Sequence, residues 1–227
     1  MTEFDLNGES VRTLNDRLHA LHDGSGDSNW KVFNPAGRHC IAAGMDAAVD
    51  IEIDGHVGYY CAGMNKQANV TINGNAATGV AENIMSGTVR VRGNASQSAG
   101  ASGHGGRLVI EGDASARCGI SMKGADIVVA GSVGHMGAFM AQEGRLVICG
   151  DAGNFLGDSL YETVIYVAGK VGELGADCIE KEMTAEHLKS LAELLTESGI
   201  DADPASFRRY GSARKLYNFN IDHAGEY

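Results

Sequence analysis

Proline is almost missing from this chain, with two residues in 227. Collagen needs it in quantity, with glycine at every third position, so the 32 glycines are not collagenous and must serve turns in a folded structure. Positive charge is scarce: 18 Lys and Arg stand against 29 Asp and Glu, a formal net charge of −11. Binding to nucleic acid or to an anionic membrane draws on clustered cations, and this balance argues against both. No apolar run approaches the ~20 residues that span a bilayer. Met1 to Gly8 holds two acids and no basic residue, unlike a secretory or transit peptide, and the cytoplasm is the expected address. Cysteines at metal-ligand spacing are missing too. Cys40, Cys61, Cys118, Cys149 and Cys178 are odd in number, with no two closer than 21 residues. A zinc or iron–sulfur site built by this chain alone is not expected, and each thiol reads as a small buried hydrophobe. There is no GxSxG, HExxH or P-loop string. Aromatics make up 6%, many of them in the terminal arms. That ranks a carbohydrate-active groove, with its clustered carboxylates, last among the readings.

What the chain does have is a ladder of glycines. Gly55, Gly74, Gly93, Gly112, Gly131, Gly150 and Gly169 fall 19 residues apart. Four and two places before each stand apolar residues: Ile51/Ile53, Val70/Ile72, Val89/Val91, Leu108/Ile110, Ile127/Val129, Leu146/Ile148 and Ile165/Val167. Two places after each stands a small or β-branched one: Val57, Ala76, Ala95, Ala114, Val133, Ala152 and Val171. A fixed period of this kind marks a repeat architecture. Nineteen residues are too few for a strand plus a crossover helix of normal length, which disfavours helical solenoids. They suit a coil of short strands and turns. The expected fold class is an all-β solenoid, a right-handed parallel β-helix of about seven coils with helical N- and C-terminal arms. Strands stacked about 4.8 Å apart would make a prism on the order of 34 Å long.

Equivalent positions stack in such a coil, so a corner that needs φ > 0 in one coil needs it in all. The seven glycines are predicted to be those corners. The residue after each (His56, Asn75, Asn94, Asp113, Ser132, Asp151, Lys170) is polar and suits a turn by bonding locally to the backbone. A second Gly or Ala seven places past each rung (Ala62, Ala81, Gly100, Gly119, Ala138, Gly157, Ala176) predicts another tight bend. The third side of the coil is less regular. Met64, Met85, Met122 and Met140 recur there, either as adaptable core filling or as a surface that packs against another chain.

Three segments follow. Residues 1–48 read as a helix and a capping coil. Val11, Leu14, Leu18 and Leu21 share one helical face, with Asn7 or Ser10 as N-cap and Gly24 as the stop. After a polar turn over 23–29, Trp30 to Phe33 is a short strand, and Trp30 should cover the open end of the core. Residues 49–182 are the β-helix. In residues 183–227, Thr184 caps a helix with a Leu188, Leu191 and Leu195 stripe that Gly199 ends. This helix should lie over the last coil and hide its edge. Pro204 to Tyr210 suggests a short helical turn. Beyond it lie a basic cluster (Arg208, Arg209, Arg214, Lys215) and an aromatic tail (Tyr210, Tyr217, Phe219, Tyr227) with little core to bury it.

No set of residues reads as catalytic, cofactor-binding or metal-binding. Ser102 to Gly106, SGHGG, looks like an active loop but reads as a corner. His104 and His135 are 31 apart and cannot share a column, and His19 and His22 read as solvent-facing. Asp158, Glu162, Asp177, Glu180 and Glu182 read as a solvated acidic patch.

The rungs Gly-Asn-Ala, Gly-Asp-Ala and Gly-Ser-Val-Gly carry a resemblance, as do Asn34 to His39, Gly55 to Tyr60, Ala81 to Gly87, Gly119 to Gly124, Phe139 to Gln142, Cys149 to Ala152 and Leu174 to Asp177. The chain resembles the glycine-motif (GXGXG) β-helix domain at the C-terminus of glutamate synthase large subunits, over about residues 30–182. That domain also occurs as a formylmethanofuran dehydrogenase subunit. Within the family the match is closer to free-standing small subunits, such as that of N-methylglutamate synthase. The resemblance implies a structural subunit that positions a glutamine amidotransferase-like subunit and an FMN-dependent glutamate synthase-like subunit. FMN and an iron–sulfur cluster would belong to a partner. A β-helix subunit of a formyl-transferring C1 complex is the alternative.

Overall fold

The computed structural model describes residues 1–21 and 28–213, and within them the chain is a parallel β-solenoid. Its first strands are β1 (Thr2–Asp5), β2 (Asn29–Phe33), β3 (Asp50–Asp54), β4 (Asn69–Ile72) and β5 (Thr88–Val91). They continue as β6 (Arg107–Ile110), β7 (Lys123–Val129), β8 (Glu143–Ile148) and β9 (Val164–Val167). All nine run parallel, each pairing with the next. From β3 onward the register joins residues one period apart, so Ile51, Val70, Val89, Leu108, Ile127, Leu146 and Ile165 form one row. Alternation along each strand sends both apolar residues before the glycine inward, and all fourteen are at most 1% exposed.

The second side of the prism is narrower. Val57, Ala76, Ala95, Ala114, Val133, Ala152 and Val171 bridge one another in a parallel column, and their small side chains let the chain turn close to the core. The third side is built from left-handed residues. Five, seven and nine places past the glycine, φ lies between +52° (Ser102) and +73° (Gly79) in every coil from Tyr60 to Ser159. The predicted second bend is there at Ala62, Ala81, Gly100, Gly119, Ala138 and Gly157; in the last coil the left-handed residue is Asp177 instead of Ala176. Amides on this side bond alternately forward and back, as in Tyr60 N to Thr78 O (3.0 Å) and Ala81 N to Cys61 O (2.9 Å). The backbone is therefore satisfied between coils without regular strands.

The ladder glycines themselves are not left-handed, with the exception of Gly55 at φ +134°. This corrects the corner expectation. From Gly93 to Gly169 each rung donates its amide to the carbonyl of the rung before it, Gly93 to Gly74 at 3.0 Å. A Cβ on Gly112 would lie 2.2 Å from Asn94 Oδ1 and 2.8 Å from the Gly93 oxygen. Close approach of successive coils excludes a side chain here.

Both ends depart from the sequence reading. Helix α1 (Val11–His19) is capped by Ser10, whose side chain accepts from Thr13 N, and it stops at His19. Gly24, His22 and most of the 23–29 turn lie outside the described residues. Phe4 and Leu6, with Leu14 and Leu18 of α1, close the first end of the core. Asn15 holds α1 to the first coil by donating to Cys40 O (2.8 Å) and accepting from Ala42 N (3.0 Å). Trp30 is not the cover: it sits in β2, between β1 and β3, and is 4% exposed. β1 was not anticipated, because Thr2 to Leu6 is too short to show a period.

At the other end, β11 (Arg208–Ser212) runs antiparallel to β9, and β10 (Cys178–Lys181) pairs with β11. These strands cover the last coil, and Tyr210 is buried in the main core instead of belonging to an unburied tail. A 3-10 turn, Pro204–Ser206, precedes β11. Arg214, Lys215, Tyr217, Phe219 and Tyr227 lie outside the described residues.

Helix α2 (Ala185–Ser198) begins at Thr184 and ends at left-handed Gly199, as predicted. Its place is different. It lies on the outer face of the sheet, where Leu191, Leu194 and Leu195 pack with Val128, Val147, Tyr166 and Phe207 as a second core. The reason is visible on the strands. Their outward central residues are Glu52, Thr71 and Arg90 in β3–β5, then Val109, Val128, Val147 and Tyr166 in β6–β9. An apolar outer column needs a cover, and α2 is that cover.

Candidate interaction surfaces

The column beside the glycine ladder uses its polar side chains up on the fold. Asn75 Oδ1 accepts from Asn94 N (2.8 Å), Asn94 Oδ1 from Asp113 N (2.8 Å), and Asp113 Oδ1 from Ser132 N (2.7 Å). Ser132 Oγ then accepts from Asp151 N (3.0 Å), and Asp151 Oδ1 from Lys170 N (2.7 Å). His56 Nδ1 starts the series with Asn75 N at 2.9 Å. The expectation of local turn bonding is therefore corrected: each side chain caps the same amide one coil further on. These residues are fastened, and chemistry with a ligand would break the stack.

The outer sheet face divides in two. Over β6–β9 it lies beneath α2, which is pinned along its length. Tyr166 Oη meets His187 Nδ1 at 2.8 Å, and Arg145 reaches Ser190 Oγ at 2.8 Å while gripping Asp126 with two bonds. Arg107 donates to Glu197 O at 3.1 Å and pairs with its carboxylate, and Arg90 donates to Ser198 O at 2.7 Å. Cations at a helix C-terminus complement its dipole. Asp126 draws the Arg145 guanidinium upward in pKa, and burial, with Arg209 nearby, pushes His187 below the usual imidazole value. Over β2–β4 the face is open and polar, with a trough of about 320 Å³ edged by Asp50, Glu52, Asn69, Asn73 and Arg92. Its charges are mutually paired: Lys31 lies 3.1 Å from Asp54, and Asn73 bonds both Asp54 and Glu52 at 2.7 Å. The Asn73 amide, and after it Lys31, hold the Asp54 carboxyl below its usual range. Chains of this sort organise a strand surface.

Among the described residues no group of three or more His, Cys, Asp or Glu is placed to hold a metal ion. His104 and His135 are both exposed and stand on different columns. Ser102 and Gly106 are left-handed turn residues, at φ +52° and +69°. Glu180 of the acidic group is paired with Arg208 at 3.6 Å, and Arg209 donates to Glu182 O at 2.7 Å. His19 is exposed but holds Ala43 O at 2.8 Å. Of the cysteines, Cys61, Cys118 and Cys178 are buried, Cys149 is half-buried and Cys40 is exposed. Cys40 thus departs from the buried reading. Burial pushes Cys118 up to about 12 and Cys149 and Cys178 up to about 11, and raises Cys61 as well.

The third side carries exposed apolar side chains. Met122 fills the core, but Met64, Met85 and Met140 are 44%, 40% and 45% exposed. The core-filling reading holds for one methionine of the four. Phe155 (45%) and Tyr59 (57%) join them, and Tyr59 stacks on His39 with ring centroids 4.5 Å apart. The column test that revealed the ladder, applied to positions five and nine past each glycine, would have found Met64, Met140 and Phe155, whereas Tyr59 and Met85 fall four and eleven places past a rung and would escape it.

No family model matches the chain. Protein GlxC of Rhizobium meliloti (strain 1021) is 58% identical to it over 228 residues, an overlap that takes in 100% of both chains. Among the described residues, no helix is long and apolar enough to cross a membrane.

Proposed function

The chain belongs to the family of Protein GlxC, and on that footing we propose that it is the non-catalytic β-helix subunit of a glutamate synthase-related, flavin-dependent amino-acid synthase. In its finer form the reading makes the assembly an N-methylglutamate synthase, converting glutamate and methylamine to N-methylglutamate and ammonia. A glutamine amidotransferase-like chain and an FMN-dependent synthase-like chain would carry the active sites. FMN and the iron–sulfur cluster would reside in the partner.

One observation carries the reading. The polar side chains beside the glycine ladder and the arginines under α2 are committed to the fold itself, whereas Met64, Met85, Met140, Tyr59 and Phe155 are spent on the surface. A rigid body with its chemistry turned inward and its apolar groups outward is suited to holding other chains at a set distance. The test is isolation of the affinity-tagged chain from the producing cells. The expected product is an assembly with a flavin absorbance spectrum and ammonia release that depends on both glutamate and methylamine, while the chain alone gives neither. Turnover by the isolated chain would overturn the proposal, and a formyl-transferring partner would replace it with the C1-complex alternative.

A further inference from the structure

The left-handed positions of the third side are mostly filled by residues that tolerate them. Ser98, Asn83, Ser102, Ser121 and Ser159 are short and polar, and such side chains relieve the αL conformation by local bonding. Bulky residues break that habit at Tyr60, Met64 and Arg117 and, gathered in two successive coils, at Met136, Met140 and Phe155, the last three with φ of +58°, +53° and +61°. A bulky apolar residue held there is strained, and burial does not repay it in full, since Met140 and Phe155 are each 45% exposed. The three are neighbours by column and coil. Met136 and Phe155 occupy one column, joined through Met136 N to Asn154 O at 2.8 Å. Half-buried Phe139 lies between Met136 and Met140, and Ile120 precedes it in its column. Asp158 and Glu173 border the patch on the side of the last coil: Met140 N bonds Asp158 O (2.9 Å), and Phe155 N bonds Glu173 O (2.6 Å). Neither carboxylate belongs to an ion pair among the described residues, and Arg117 is the cation one column-step before Met136.

We infer that Met136, Phe139, Met140 and Phe155 are the centre of a protein-docking surface whose occupant is a different chain, one presenting an apolar patch bordered by Lys or Arg opposite Asp158 and Glu173. The inference rests on the subunit reading above and adds where one partner binds and by what chemistry. Interfaces place adaptable apolar and aromatic groups at the centre and charge at the rim, and opposite charge steers the encounter. A second copy of this chain fits poorly, because it would bring one body of net charge −11 against its equal.

The test uses the isolated assembly and the free chain side by side. Brief hydrogen peroxide treatment followed by peptide mass spectrometry should oxidise Met140 in the free chain and spare it in the assembly, with buried Met122 spared in both. The double variant Met140→Ser/Phe155→Ser installs residues the same columns already carry at Ser121 and Ser98, so the free chain should unfold as the wild type does. It should bind the partner at least about tenfold more weakly. Glu173→Lys should weaken binding and flatten its dependence on salt. If the assembly forms while Met140 oxidises as fast as in the free chain, or the double variant assembles normally, the docking inference is wrong and the subunit reading stands. If the wild-type chain elutes alone or as a homo-oligomer, both are wrong.

Discussion

At Gly112 the space for a methyl group is already occupied, by Asn94 Oδ1 at 2.2 Å and the Gly93 carbonyl oxygen at 2.8 Å from where its Cβ would stand. The carbonyl belongs to the hydrogen-bonded spine and cannot swing aside. Gly112→Ala is therefore expected to cost on the order of 1–3 kcal/mol, near the upper end for overpacking against backbone. Gly119 poses the opposite problem. It is left-handed at φ +70°, yet Ala62, Ala81 and Ala138 hold the same column at +53° to +55°, and its Cβ would press only on the flexible ends of Met122 and Ile127 at 3.2 and 3.3 Å. Gly119→Ala should cost less, about 1 kcal/mol. Urea unfolding of the two variants decides between them, and the reverse order would contradict the account of the ladder. The period was legible in the sequence because only glycine is tolerated at the rungs. The cause was not, since a positive φ and a close approach demand the same residue and differ only in distances. Thiol chemistry gives a second test at this scale. Cys40 is the exposed cysteine, and burial raises the pKa of the other four, leaving little thiolate on them. Titration with a disulfide reagent at pH 8 should show one fast thiol in the folded chain, lost in Cys40→Ser, with the rest reacting after unfolding.

Helix α2 shows what a repeat pattern conceals at the scale of an element. Its caps were readable at Thr184 and Gly199, and two of its docking leucines at Leu191 and Leu195, because those signals are local, while Leu194 takes the buried place expected of Leu188. Its seat was not readable, because that depends on a column of residues 19 apart, Val109, Val128, Val147 and Tyr166, each of which looks like an ordinary strand residue in its own segment. Leu194 is 1% exposed within that contact, so Leu194→Ala should cost about 2–5 kcal/mol if docking and the prism unfold together, or release α2 alone if they do not. Amide hydrogen exchange in α2 separates the outcomes. The same contact is sensitive to pH. His187 faces Tyr166 and Arg209, with Glu186 beside it, and its pKa in the fold is lowered by burial first and by Arg209 second. The unfolded chain therefore binds the proton more readily, near the usual imidazole pKa of about 6.5. Docking is at full strength above that value and weakens as pH falls through the lower folded pKa. Exchange in α2 should quicken between neutral pH and about pH 5, and His187→Gln should flatten that response. A pH-independent rate in the wild type would remove His187 from the account.

For the whole molecule, the match between α2 and the stack sets a rule about length. From the Tyr166 contact on β9 to the Arg90 contact on β5 is four strand steps, about 19 Å at 4.8 Å each. His187 and Ser198, which make those two contacts, stand 11 residues apart on α2, about 17 Å at 1.5 Å per residue. The helix is a strut cut to the distance between coils, and the prism can be lengthened safely only outside its reach. Duplicating residues 56–74 adds one complete coil between β3 and β4. It should leave the unfolding free energy close to wild type, because each coil of a solenoid contacts only its neighbours. Duplicating residues 113–131 adds a coil beneath the strut. It sets a second Asp126 where Arg107 met Glu197 and puts Val109 where Arg90 met Ser198, so two charge-assisted contacts at the helix end are lost, each about 1.5–3 kcal/mol. The pair of insertions also tests what the length is for. If the chain holds two partner active sites at a fixed separation, the 56–74 duplication should keep fold and assembly yet move the first coil about 4.8 Å from the Met140 and Phe155 patch. Turnover of the assembled enzyme should then fall while flavin content holds. Unchanged turnover with the longer prism would mean that the partners do not depend on the distance it sets.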